Sequence, residues 1–177
     1  MKEHNIKISD NNHTFIAIDV ETANSFHICQ ISIVVVINGV IKYTYDRFVK
    51  PHENKYNWHC MKVHGIKPIQ TVNAPSFSEI YHEIKTILKG RPIVAHNESF
   101  DRTTLQKQIA FSGFDYSELE QTEKFECTYR LFKPYHDSAK LNSLCEIYDI
   151  ELKHHDAGSD AIACAKLYCI FLDKVKI

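Results

Sequence analysis

The chain has 177 residues, 44% of them apolar and 24% charged, the balance of a globular domain with a sizeable core. Its formal net charge of −1 gives no sign of the basic footprint usual for nucleic-acid binding, so any such contact is expected to be local, at a metal site or a small patch. The longest apolar run, ISIVVVI at 31–37, is of strand length, and the opening MKEHNIKISDNNH has no apolar signal core; a cytoplasmic protein without a membrane is expected.

Residues 1–13 read as an N-terminal extension, and 14–177 as one domain. Strands are expected over 14–21, 28–37 and 40–49, with Asn38-Gly39 as the hairpin turn between the last two. A turn of helix over HCMKVHGI closes at Gly65. From Ala74 the period changes: Phe77, Ile80, Tyr81, Ile84, Ile87 and Leu88 predict an amphipathic helix, with Pro75 in its first turn and Gly90 at its end.

A short strand at 92–96 follows, and Ser99 is expected to N-cap a helix that runs to about Ser112. The stretch 114–140 is the least legible; Thr128 is read as the cap of a short helix holding Tyr129, Leu131 and Phe132. Residues 141–148 read as helix, and Ala161, Cys164, Ala165, Tyr168, Phe171, Leu172 and Val175 form the apolar stripe of a last one. A three-strand meander followed by alternating helices and strands implies an α/β fold with a mixed central sheet flanked by helices.

Six cysteines without a C-x-x-C pair read as reduced, mostly buried thiols. His59, Cys60 and His64 lie close together, but a structural zinc site normally shows two tight ligand pairs. A zinc-stabilised protein is the reading this cluster alone supports.

The chemistry concentrates in acids. In FIAIDVET, 15–22, residues two apart share a strand face, so Asp19 and Glu21 sit beside each other. Two bare carboxylates in a poorly solvated place repel, and all-oxygen ligation of a hard divalent cation relieves that. A strand ending at Asp19 with both acids in water explains the stretch equally well. In VAHNESFD, 94–101, Asp101 falls in the first turn of a helix, where a carboxylate is favourable without any ligand. HHDAGSDA, 154–161, places His155 before a helix and Asp160 just inside it, while Asp156 and Ser159 suit capping.

Together the ordered set D-x-E, H-N-x-S-F-D and H-x₄-D resembles the DEDDh (DnaQ-like) 3′–5′ exonucleases, related to the proofreading subunit of bacterial DNA polymerase III. The resemblance runs from about Thr14 to Leu172 and includes KVHGI at 62–66. It implies an RNase H-like fold and a two-metal phosphodiesterase using Mg²⁺ or Mn²⁺. Asp19, Glu21, Asp101 and Asp160 are then the metal-binding acids, and His155 the general base, a role for which His154 competes. Thr22, Ala23, His64, Ile66, Asn97 and Phe100 match positions that meet the terminal nucleotide; for Ile66 and Phe100, core packing is an equal reading.

The implied partners are the 3′ ends of single-stranded DNA, preferred, or of RNA, and a nucleoside monophosphate product. A polymerase partner has no sequence feature behind it. Two departures stand out: Glu98 adds a charge where the family carries a small or neutral residue, and Gly158 is expected to loosen the start of the last helix. The alternatives are an exoribonuclease of the same family and a binding module that keeps the fold without cleavage; all five chemical residues being present counts against the latter.

Overall fold

The computed structural model describes residues 13–121 and 124–175. Residues 1–12 of the expected N-terminal extension, and the side chain of Val175, lie outside them. The strands are β1 (Phe15–Asn24), β2 (His27–Ile37), β3 (Val40–Phe48), β4 (Ile93–Ala95) and β5 (Glu126–Cys127). The helices are α1 (Trp58–His64), α2 (Pro68–Thr71), α3 (Phe77–Leu88), α4 (Ser99–Phe111), α5 (Thr128–Phe132), α6 (Leu141–Ile147) and α7 (Ala157–Val175). One sheet of order β3-β2-β1-β4-β5 joins the strands, antiparallel across the meander and parallel from β1 through β4 to β5. The expected mixed sheet is borne out.

Alternation along β1 sends its two faces into different cores. Ile16, Ile18 and Val20 pack with Tyr81, Ile84 and Leu88 of α3 and Leu105 and Ile109 of α4. Phe15 and Ala17 pack with Ala161, Cys164 and Ala165 of α7, Phe15 edge-on to Tyr168 at 4.8 Å. Both faces are covered, which explains the nearly continuous apolar reading of β1 and β2. A third cluster, with Phe132, Leu141, Leu144, Ala163 and Leu167, fixes α5 and α6 against α7.

Several boundaries differ from expectation for physical reasons. β1 does not end at its acids but runs on to Asn24, with register shifts against β2 between Glu21 and Thr22 and again before Asn24. Such a bulge re-aims side chains without ending the pairing. Pro75 stands outside α3, because Ser76 is the cap: its N–H and hydroxyl both donate to Glu79 Oε2 at 2.7 Å. Ser99 is already helical, since the Glu98 carbonyl accepts from Arg102 N–H at 2.9 Å; Asn97, at φ +60°, makes the turn into α4. Thr128 opens α5 without capping it, its hydroxyl bonded instead to His96 Nδ1 at 2.9 Å. β5 was not legible, because two residues show no periodicity.

Candidate active site

Asp19 and Glu21 project from β1 on its α7 side, and α7 meets them with Asp160 from its first turn. Carboxylate oxygens of Asp19, Glu21 and Asp160 lie within 4.8 Å of one another. Asp101, in the first turn of α4, comes from the other side; its Oδ1 accepts the Val20 N–H at 3.1 Å. Asp101 and Asp160 are only 2% and 4% exposed, so water solvates neither well. Among the described residues the one ion-pair partner of the four is His154, whose Nδ1 is 3.2 Å from Asp160 Oδ2.

The consequence is electrostatic. Burial, then mutual repulsion, raises the Asp19 carboxyl far above the usual range, and burial with the charges of Asp160 and Asp101 pushes Glu21 to about 8. Burial raises Asp101 and Asp160 as well, although Asp101 gains from the Val20 N–H and Asp160 from the two histidines. A set of carboxylates shifted together in a cleft marks a functional site. Oxygen donors without a lysine or arginine partner among the described residues suit hard divalent cations, so the donor set fits the divalent metal implied by the resemblance.

His154 and His155 are exposed and their rings stack with centroids 3.9 Å apart. The His155 N–H donates to Asp160 Oδ2 at 3.1 Å, and its φ of +64° turns the chain sharply before α7. Partial desolvation of the ring at the cleft, then the neighbouring His154, hold the His155 imidazole below its ordinary pKa. Asp156 caps the helix, accepting the Ser159 N–H at 3.1 Å, as the capping reading had it. Gly158 is buried in regular helix instead of loosening it; a Cβ there would stand 3.0 Å from Asp46 Oδ2.

These residues floor an open cleft of about 670 Å³ that also includes Val63, His96, Asn97, Phe100, Tyr129 and Lys140. Asn97 and Phe100 therefore reach it, Phe100 with 46% of its surface exposed and not as core packing. Thr22, Ala23 and Ile66 are buried beside the acids; Ile66, at 4% exposure, packs with Ala23, Cys29 and Tyr56. His64 bridges these groups: its Nδ1 accepts the Ile66 N–H at 3.0 Å and its Nε2 lies 3.1 Å from the Thr22 carbonyl. Both ring nitrogens are engaged, so His64 offers no lone pair to zinc, and neither His59 nor Cys60 belongs to a metal-competent group among the described residues.

Glu98 neither faces solvent nor reaches the cleft. It is 1% exposed, with Oε2 2.8 Å from Arg102 Nε and Oε1 2.9 Å from Arg130 Nη2. The two guanidiniums hold its carboxyl below the usual range despite burial. It ties α4 to α5, whose Tyr129 lines the cleft. Tyr129 and Lys140 escaped the sequence reading, because neither falls in a motif and only the fold brings them to the acids.

A family model for exonucleases of the RNase T type matches residues 16–168. Relatives include the 3′-5′ exonuclease DinG of Bacillus subtilis (strain 168), 28% identical over 174 residues, covering 94% of this chain and 18% of that protein. A PolC-type DNA polymerase III of Halalkalibacterium halodurans is 30% identical over 158 residues, 86% of this chain and 11% of that protein. The chain thus spans less than a fifth of the length of these curated relatives. Among solved structures, the nuclease domain of 3′hExo, a DEDDh family member bound to rAMP, superposes with a TM-score of 0.77 at 17% identity, covering 94% of both chains. Exonuclease X in complex with 5′ overhanging duplex DNA gives a TM-score of 0.70 at 22% identity, over 92% of this chain and 93% of that one. These likenesses bear out the RNase H-like fold. With its motifs in the expected order and the family model over most of its length, the chain belongs to the RNase T-type exonuclease family.

Proposed function

We propose that this chain is a metal-dependent 3′–5′ exonuclease that releases nucleoside monophosphates from the 3′ ends of single-stranded nucleic acid. The observation that carries this reading is the convergence of four buried or partly buried carboxylates, raised in pKa and, among the described residues, with no lysine or arginine ion pair, on an open cleft beside a histidine pair. Asp19, Glu21, Asp101 and Asp160 would hold two Mg²⁺ or Mn²⁺ ions. Asp19 and Glu21 would supply their carboxylates from β1, Asp101 from α4 and Asp160 from α7. Bound in this way, a pair of divalent cations supplies an activated water and stabilises the leaving 3′ oxygen of an in-line displacement.

The chain's own part is positioning and proton transfer. His155, exposed at the cleft and held neutral at physiological pH, takes the proton of the attacking water. His154 braces it: its ring stacks on that of His155 and bonds Asp160 at 3.2 Å. The terminal nucleotide is assigned to Thr22, Ala23, His64, Ile66, Asn97 and Phe100. Phe100 and Asn97 meet it from the α4 side, and His64 with Ile66 supports the backbone of Thr22 and Ala23 from below.

DNA is the first substrate, on the likeness to a PolC-type DNA polymerase III. The RNA reading draws on the likeness to 3′hExo bound to rAMP. The test follows 5′-labelled single-stranded DNA and RNA with Mg²⁺, Mn²⁺ or EDTA, beside Asp19→Ala and His155→Ala. A metal-dependent ladder shortening from the 3′ end, lost in both variants, is expected, faster on DNA. No shortening of either strand with either metal sinks the proposal.

A further inference from the structure

Between Asn54 and Ser78 the chain carries three lysines, Lys55, Lys62 and Lys67, and no acid, although it has 22 acids in all. The same stretch holds the chain's one tryptophan, Trp58, which is 61% exposed on the first turn of α1. An exposed tryptophan in an acid-free basic segment calls for an account that core packing does not give.

The placement of α1 supplies one. Its N-cap residue, Asn57, donates its backbone N–H to the Ala23 carbonyl at 2.7 Å, and at its other end His64 Nε2 lies 3.1 Å from the Thr22 carbonyl. Both ends of the helix are therefore fastened to β1 immediately after Glu21. Val63, 55% exposed, lines the acidic cleft, and Trp58 stands five residues earlier, about 7.5 Å along the helix axis and about 140° round it, outside the cleft itself. Lys62 Nζ lies 5.2 Å from the Trp58 ring centroid and His59 meets that ring edge-on at 5.1 Å. Among the described residues Lys62 has no acidic partner, whereas Lys55 is paired with Glu53.

We propose that Trp58 and Lys62 form a platform for the nucleic-acid strand upstream of the 3′ end held in the cleft, with Trp58 stacking on a base and Lys62 meeting a phosphate. Stacking is tolerant of sequence, since every base has a π face, and a cation beside the ring serves the backbone. The acidic floor repels the phosphodiester chain wherever cations do not cover it, so an acid-free approach beside it gives the strand its path. The assignment deepens the exonuclease reading and rests on it.

Trp58 emission reports on the patch directly. With Mg²⁺ present and His155→Ala as background, so that strands are held uncut, a single strand of about twelve nucleotides should change the emission while a dinucleotide does not. Trp58→Leu should weaken binding of the long strand about tenfold, with part regained in Trp58→Phe. Lys62→Ala should lower the slope of log affinity on log salt by about one. Unchanged emission at saturating strand, or equal binding by Trp58→Leu, overturns the platform and leaves the patch to a protein partner. Hydrolysis by the unsubstituted chain is scored separately. Cleavage with silent emission refutes the platform alone, and an emission response without cleavage refutes the exonuclease alone.

Discussion

The backbone N–H of Val20 donates to Asp101 Oδ1 at 3.1 Å, so the peptide between the two acids of β1 orients the acid of α4. The bond joins residues 81 positions apart and fixes where the fourth carboxylate stands. Asp101→Asn retains an Oδ1 acceptor for that N–H but removes the charge. The variant should therefore melt no lower than the parent in the absence of metal, and higher at neutral pH where the charge is repelled, yet lose more than about 100-fold in activity, the scale on which disturbed metal sites fail. Calorimetry beside a rate assay checks both halves; unaltered turnover would remove Asp101 from the site.

The repulsion among the acids makes the metal-free site a cost to stability. Glu21 rises from 4.5 to about 8 on folding. A raised folded pKa gives stability that is fully present below the unfolded value, near 4.5, and lost as pH climbs through about 8. Glu21→Gln should thus be no more stable than the parent near pH 4.5 and more stable by a few kcal/mol near pH 8, at about 1.4 kcal/mol per unit before solvent screening. Mg²⁺ or Mn²⁺ should narrow the gap by restoring the parent. Urea melts across that window in EDTA measure it, and a gap that closes with rising pH contradicts the account.

His155 and His154 differ in what they touch. His154 Nδ1 lies 3.2 Å from Asp160 Oδ2, whereas the His155 side chain has no hydrogen-bond partner among the described residues and faces the cleft. His155→Ala should lower kcat by about 10²–10⁴-fold, and His154→Ala by less than about tenfold. The reverse order in a steady-state assay would give the base to His154.

Glu98 predicts a stability effect that its place in the motif conceals. Glu98→Gln keeps the shape and one acceptor oxygen but removes the charge and sets an NH₂ donor against one of the guanidiniums of Arg102 and Arg130, and should cost about 1.5–3 kcal/mol. Arg130→Ala should cost less than about 1 kcal/mol, because Arg130 is 55% exposed and Arg102 still holds the carboxylate. Chemical denaturation of the two variants ranks them, and equal losses would mean that Arg130 carries the pair.

Much of this protein is legible along the chain. Alternation in FIAIDVET put Asp19 and Glu21 on one face and the aliphatics on the other, and the period of Phe77 to Leu88 marked α3, because both patterns are local consequences of backbone geometry. Ordered spacing picked out Asp101, His155 and Asp160, since each sits at a helix start that its own neighbours specify. Beyond that range the local code is silent. Glu98 reads as a stray charge until Arg130 arrives from 32 residues away. His64 reads as one of a His59, Cys60 and His64 cluster until Thr22 and Ile66 are seen to occupy its nitrogens. The two-residue β5, the bulge after Glu21 and the presence of Tyr129 and Lys140 in the cleft come from pairing and packing between segments distant in sequence. The sequence alone determined on which elements the groups proposed for the chemistry ride; the tertiary structure decided which of them meet, because only packing fixes the distances on which charge repulsion and hydrogen bonding depend.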